Sequence, residues 1–139
     1  MISPTLPLGK ARALQQCATA KGAFTILAVD HRDAMRVMVD AAHPQNVSSQ
    51  TLTDIKLDIV RSLSDLPSAI LLDPLYSAAQ AIAGAALAGR VGLLVALEDQ
   101  GYLGDPYNRE TASLHDWSVE KARRLGATGV KVLLFYHPD

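Results

Sequence analysis

Gly-Ala-Thr-Gly-Val-Lys-Val-Leu-Leu-Phe-Tyr occupies residues 126–136, an apolar run that carries one lysine, Lys131. The run predicts a buried strand that follows a helix ended by Gly126. A buried ammonium is costly unless it is paired or its pKa falls. Lys131 is therefore either a chemical group of a site or a residue at the solvated start of the strand, with its stem on apolar surface. The chain ends at Asp139, and we expect the rest of such a site to lie outside it.

Three earlier apolar runs have the same form, and each is followed by a carboxylate: residues 24–29 before Asp30, residues 68–72 before Asp73, and residues 91–97 before Glu98. Helical stretches separate the runs, and an amphipathic one spaces its apolar residues by three and four over 52–63. This alternation is typical of a parallel sheet covered on both faces. The sequence thus predicts an α/β fold, an N-terminal helix followed by four parallel β/α strands. Both an open doubly wound sheet and the first half of a (β/α)8 barrel accept this order.

Composition limits the function. The 139 residues are the size of one domain, which we expect to span 1–139. A net charge of −1 argues against a nucleic-acid partner. The single cysteine, Cys17, excludes an internal disulfide and favours a cytoplasmic location. The longest apolar run, residues 78–88, is shorter than the roughly 20 residues of a membrane span, and the N-terminus lacks the pattern of a signal peptide.

The candidate site residues follow the predicted strands, because sites in both architectures form at the carboxyl ends of the strands. Asp73 precedes Pro74, which favours capping of the next helix. Asp30 has charged neighbours at 31–33 and is the better functional candidate. Glu98 is equally compatible with a site group and with loop surface. If Lys131 faces a barrel interior it needs a carboxylate partner, and Asp30 is the natural one.

Metal and cofactor signatures are missing from the sequence. The four histidines lack metal-type spacing, and neither a phosphate loop nor a dinucleotide-binding glycine pattern is present. We therefore predict no metal site and no cofactor.

Four segments of the chain resemble one enzyme family. Residues 27–36 (Leu-Ala-Val-Asp-His-Arg-Asp-Ala-Met-Arg) resemble the first-strand segment of bacterial tagatose 1,6-bisphosphate aldolases and sulfofructosephosphate aldolases. Residues 69–76 resemble their second strand, and residues 116–118 with 126–136 resemble their fourth strand and the helix before it. The likeness runs in the same order from about residue 22 to the end of the chain.

The resemblance implies a (β/α)8 barrel that cleaves a ketose phosphate through a Schiff base. It implies that Asp30 lies at the reacting carbon and that Lys131 supplies positive charge beside the Schiff-base lysine. The Schiff-base lysine is expected on the sixth strand, a general acid/base glutamate on the fifth, and phosphate-binding groups on the seventh and eighth, all outside this chain. Arg32, Glu98 and Arg109 are candidates for contacts to the substrate, although a surface position is the simpler expectation for both arginines.

Three interpretations remain open, one of them an unrelated doubly wound enzyme. In the first, the chain is the N-terminal part of a Schiff-base aldolase, inactive alone and prone to form homo-oligomers through its open sheet edges. In the alternative, it is a stand-alone open α/β domain that binds a sugar phosphate or a protein partner without catalysis. The loop at 100–113 is expected to shape the substrate end, and it does not separate tagatose, fructose and sulfo-sugar phosphates.

Overall fold

The structure, a computed structural model, describes residues 6–99 and 105–136. The helices are α1 (Leu8–Cys17), α2 (Asp33–Val39), α3 (Ser49–Leu63), α4 (Ala78–Ala83) and α5 (Val119–Leu125), with short 3₁₀ turns at Pro44–Asn46 and Pro106–Asn108. The strands are β1 (Ile26–Val29), β2 (Ala69–Leu72), β3 (Gly92–Ala96), β4 (Glu98–Asp99), β5 (Ala112–Ser113) and β6 (Gly129–Lys131). No helix within the described ranges is long and apolar enough to cross a membrane.

The main sheet has the order β1-β2-β3-β6, and all three of its pairings are parallel. Helices connect these strands, so the predicted α/β fold with four parallel strands is confirmed. Consecutive strands are neighbours in the sheet, which is the order of a (β/α)8 barrel and not the reversing order of a doubly wound sheet. The architecture is consistent with part of such a barrel.

The two faces of the sheet differ in character. Side chains of Val29, Leu72 and Val95 join the apolar core on the face covered by the helices. Paired residues of parallel strands point to the same side, so the register Ala28↔Leu71 and Leu71↔Leu94 assigns these three residues to the opposite face, called the inner face here. The inner face is where a barrel would have its interior.

Helix α1 covers the start of the inner face. A Cβ atom added to Gly92 would lie 2.6 Å from the Cys17 sulfur and 3.3 Å from the Ala69 Cβ. Only glycine therefore leaves room for α1 to approach β3 this closely. Cys17 is buried at this contact, and we assign it a packing role.

Several predicted boundaries are corrected by the structure. The run at 126–136 forms a strand only at Gly129–Lys131, because Gly126 still ends α5 with a φ of +105° and residues 132–136 have no regular structure. The alanine-rich stretch at 76–88, whose composition predicts one helix, is helical only at Ala78–Ala83, since Ala85 takes a positive φ of 49°. The end of the predicted loop at 100–113 forms β5, which pairs antiparallel with β4 just before the loop, while residues 100–104 lie outside the described ranges.

Candidate active site

Lys131 is the last residue of β6, and its ammonium lies between two carboxylates. Its Nζ donates a hydrogen bond to Asp30 Oδ2 at 3.0 Å and another to Glu98 Oε1. The side chain of Lys131 is 27% exposed, against 7% for Asp30 and 1% for Glu98. We call these three residues the carboxylate–lysine cluster. The structure thus brings together three of the five residues singled out from the sequence.

Strand geometry explains why these side chains share one face. Ala96 lies two positions after inner-face Leu94, and it pairs with Lys131. Glu98 lies two positions after Ala96, so the side chains of Lys131 and Glu98 both point toward the inner face. Asp30 likewise follows inner-face Ala28 by two residues. β1 and β6 are the first and fourth strands, about 14 Å apart in a flat sheet, which is beyond the reach of a lysine to an aspartate. The contact at 3.0 Å therefore shows that the sheet curves toward its inner face.

The cluster keeps Lys131 charged. Burial by itself lowers the pKa of this ammonium, but the hydrogen bonds and charges of Glu98 and Asp30 outweigh burial and raise the pKa above its ordinary value of 10.5. Lys131 is therefore a cation near neutral pH.

Arg32 adds a second cation beside the cluster. Its guanidinium donates to the backbone carbonyl of Glu98, and the residue is only 5% exposed, so the expected surface position is wrong for Arg32. A cavity of about 180 Å³ adjoins it at the carboxyl end of the sheet. The cavity is lined by Arg32, Asp33, Leu75, Tyr76, Asp99 and Leu114.

Glu98 has a further feature that bears on binding. Its Oε2 atom is buried and accepts no hydrogen bond from any residue in the described parts of the chain, whereas Oε1 is held by Lys131. A buried carboxylate oxygen without a donor is costly, and a ligand hydroxyl or amine would satisfy it. The next residue, Asp99, is exposed.

Arg109 lies in the segment between β4 and β5. Its guanidinium carbon is 5.9 Å from the centroid of the Phe135 ring, in the segment after β6, and the residue is half-buried. The aromatic contact places the guanidinium against the segment that follows β6.

Sequence reasoning missed Lys56. It lies in α3 and is 0% exposed, and its Nζ donates to the Asp73 carboxylate and, at 3.0 Å, to the Val29 carbonyl. The signal was present, because Lys56 falls midway between Leu52 and Val60 at spacings of four, and both neighbours are fully buried. A lysine on the apolar face of a helix needs a buried partner.

That partner, Asp73, is more than the predicted cap. Its Oδ1 accepts from the backbone N–H groups of Leu75 and Tyr76 at 2.9 and 2.7 Å, and so caps a turn before α4, while Ser77 holds the N-cap position of the helix. Its Oδ2 accepts from Lys56 and from Ser77 Oγ. Burial lowers the pKa of Lys56, which the carboxylate of Asp73 offsets only in part.

Several known proteins are similar in sequence to this chain. Residues 24–139 match the family described as DeoC/LacD family aldolase. The chain is 36% identical over 135 residues to tagatose 1,6-diphosphate aldolase 2 of Enterococcus faecalis, covering 97% of this chain and 40% of that protein. It is 35% identical over 130 residues to tagatose 1,6-diphosphate aldolase 1 of the same organism, covering 94% and 38% respectively.

A streptococcal relative has a similar identity and a similar coverage. Tagatose 1,6-diphosphate aldolase 1 of Streptococcus pyogenes is 34% identical over 120 residues, which cover 86% of this chain and 36% of that protein. The chain therefore spans less than half the length of these curated relatives.

Proposed function

This chain belongs to the DeoC/LacD family of aldolases, and we propose that it forms the N-terminal part of a Schiff-base aldolase that acts on a ketose phosphate. The observation that carries the proposal is the carboxylate–lysine cluster at the carboxyl ends of the parallel strands, where barrel enzymes build their sites. The names of the relatives support tagatose 1,6-diphosphate as the first substrate to test.

In this proposal Lys131 acts as a fixed cation. A Schiff-base lysine must be deprotonated to attack a carbonyl, and a neighbouring cation lowers its pKa. Asp30 and Glu98 keep Lys131 protonated, and Arg32 adds a second positive charge beside it.

Aldol cleavage then needs groups from both parts of the enzyme. The ketone condenses with a lysine amine of the part not present in this chain, and one water is released. The bond between the carbons α and β to the carbonyl breaks as the β-hydroxyl gives its proton to a base. The β-carbon leaves as an aldehyde, and the bonding electrons form an enamine on the lysine. The enamine takes up a proton and is hydrolysed to dihydroxyacetone phosphate, which frees the lysine. We assign Asp30 to proton handling at the reacting carbon.

The substrate contacts come from the remaining candidates. Glu98 Oε2 accepts a hydrogen bond from a sugar hydroxyl, since it has no donor within the described structure. Arg32 and Arg109 contribute positive charge toward a phosphate or hydroxyl. The chain by itself lacks aldolase activity in this proposal, and Cys17, a free thiol, is in keeping with a cytoplasmic enzyme.

Borohydride trapping tests the proposal. This chain is combined with the C-terminal part of the Enterococcus faecalis relative, the part that has no counterpart in this chain, and the product is called the recombined enzyme. The recombined enzyme is incubated with dihydroxyacetone phosphate, reduced, and digested for mass spectrometry. The proposal expects the reduced adduct on a lysine of the C-terminal part and none on this chain alone. An adduct on Lys131 or Lys56, or a recombined and folded protein without any adduct, contradicts it.

Self-association is a second candidate property, favoured by the sheet edges. Among the described residues β1 pairs only with β2 and β6 only with β3, and Ile26 on β1 is 47% exposed. A cavity of about 310 Å³ beside this edge is lined by Ile26, Leu63 and Leu66 among others. We propose that two copies join through these edges. A concentration-independent monomer in analytical ultracentrifugation contradicts self-association, and a folded monomer that binds a sugar phosphate favours the stand-alone binding domain.

A further inference from the structure

The Lys56–Asp73 pair lies directly behind the carboxylate–lysine cluster. Lys56 reaches from α3 to the carboxyl end of the sheet, where its Nζ donates to the Val29 carbonyl at 3.0 Å. Val29 is the last residue of β1, and the next residue is Asp30. The ammonium thus fixes the peptide group that carries the Asp30 side chain.

The other end of the pair is equally fixed. Asp73 follows β2, and its two carboxylate oxygens accept hydrogen bonds from two backbone N–H groups, the Ser77 hydroxyl and Lys56. Asp73, Ser77 and Lys56 are all 0% exposed. The ends of β1 and β2 are therefore joined through one ammonium inside the core.

We infer that Lys56 is a positioning residue for the proposed active site, and that it acts through Asp30 by holding the carboxyl end of β1 against Asp73. The structural part of the inference stands by itself, and its consequence for catalysis rests on the proposed function. Lys56 itself does not touch substrate, because its ammonium is fully buried and already bonded to two partners. Its effect reaches the site along one peptide unit, from the Val29 carbonyl to the Asp30 side chain.

Two other roles for Lys56 make different predictions about Lys131. If Lys56 only stabilises the fold, its removal leaves the Lys131 ammonium as it was in the folded protein. If Lys56 acts only as a distant positive charge, its removal relieves repulsion and the pKa of Lys131 rises. If Lys56 positions Asp30, its removal weakens the Asp30 hydrogen bond to Lys131 and the pKa of Lys131 falls, so the sign separates the three roles.

The experiment is an NMR titration of the lysine Cε resonances in this chain, with a double-mutant cycle. Lys56→Met is combined with Asp30→Asn, and Lys21→Met serves as the matched control because Lys21 is exposed. We expect Lys56→Met to lower the pKa of Lys131, and to have no further effect once Asp30→Asn is present. The Lys21→Met variant should leave the Lys131 titration where it is.

An unchanged or raised Lys131 pKa in folded Lys56→Met overturns the inference, and so does an equal effect in the Asp30→Asn background. If Lys56→Met does not fold, Ser77→Ala takes its place, because it removes one donor to Asp73 and keeps both charges. A smaller fall of the Lys131 pKa is then expected, and no fall overturns the inference.

A kinetic arm separates this inference from the proposed function. In the recombined enzyme, Lys56→Met should lower kcat by about 10- to 100-fold with little change in KM. Absence of activity with the unmodified chain contradicts the proposed function alone, and the titration still decides on the positioning role.

Discussion

Replacing Lys131 by methionine tests whether the cluster is held by charge. Lys131→Met keeps a side chain of similar length and removes the ammonium that two buried carboxylates share. Asp30 at 7% and Glu98 at 1% side-chain exposure are then left without their cation. Both carboxylates become less favourable in the folded state than in the unfolded chain, where water solvates them.

The magnitude follows from these contacts. Hydrogen bonds to charged groups are worth about 1.5–3 kcal/mol each, and breaking a buried ion pair costs about 3–5 kcal/mol. The 27% exposure of Lys131 admits solvent, which places the expected loss at the lower end, about 2–4 kcal/mol. A domain of this kind has only about 5–15 kcal/mol to lose.

The assay is urea unfolding of this chain at pH 7 and pH 4. The loss at pH 7 should shrink at pH 4, because a carboxylate stranded in the core can take up a proton and become neutral. Lys121→Met is the control, since exposed Lys121 only donates to the Asp116 carbonyl and lies over the Trp117 ring, and its loss should stay below about 1 kcal/mol. Equal losses at both pH values, or no more loss than in the control, would refute the electrostatic reasoning.

Three further outcomes are expected. Gly92→Ala should destabilise the chain by about 1–3 kcal/mol, because the added carbon overlaps the Cys17 sulfur. The control Gly89→Ala should not destabilise it, because the space around Gly89 is open. Equal urea midpoints for the two variants would contradict this prediction. Ser118→Ala should cost about 1 kcal/mol, since its hydroxyl accepts the Lys121 N–H at the start of α5, and an unchanged melting curve would argue against that cap. Lys56 has a lowered pKa in the folded protein, so between that pKa and 10.5 the unfolded chain binds more protons than the folded chain. The free energy of unfolding should therefore rise with pH over this range, and this rise should vanish in Lys56→Met. A rise that persists in Lys56→Met would show that other groups cause it.

The sheet was predictable because its strands are continuous apolar runs. Central strands of a parallel sheet are rich in apolar residues, and the first three runs end where charged residues begin, as at Asp30 and Glu98. The cost of burying an ammonium among apolar residues also predicted a carboxylate partner for Lys131. The exact extent of β6 was not predictable, since its apolar residues continue past Lys131 although the pairing with β3 ends there.

The buried polar groups were harder to anticipate. Arg32 is charged and follows a strand, which suits a surface residue, and only the fold shows that it reaches the Glu98 carbonyl. Lys56 and Asp73 are 17 residues apart in sequence and belong to different elements, so their pairing depends on how α3 packs on the sheet. Local pattern marks a lysine among core positions, but tertiary packing selects its partner.

The central claim is that this chain supplies working groups to an aldolase site completed by strands outside it. The most direct measurement is kcat for cleavage of tagatose 1,6-diphosphate by the recombined enzyme, with Asp30→Asn and Lys131→Met each introduced into this chain. We expect both substitutions to lower kcat by at least about 100-fold, while Lys121→Met leaves it within about twofold. Turnover that survives both substitutions in a folded, recombined enzyme would contradict the claim.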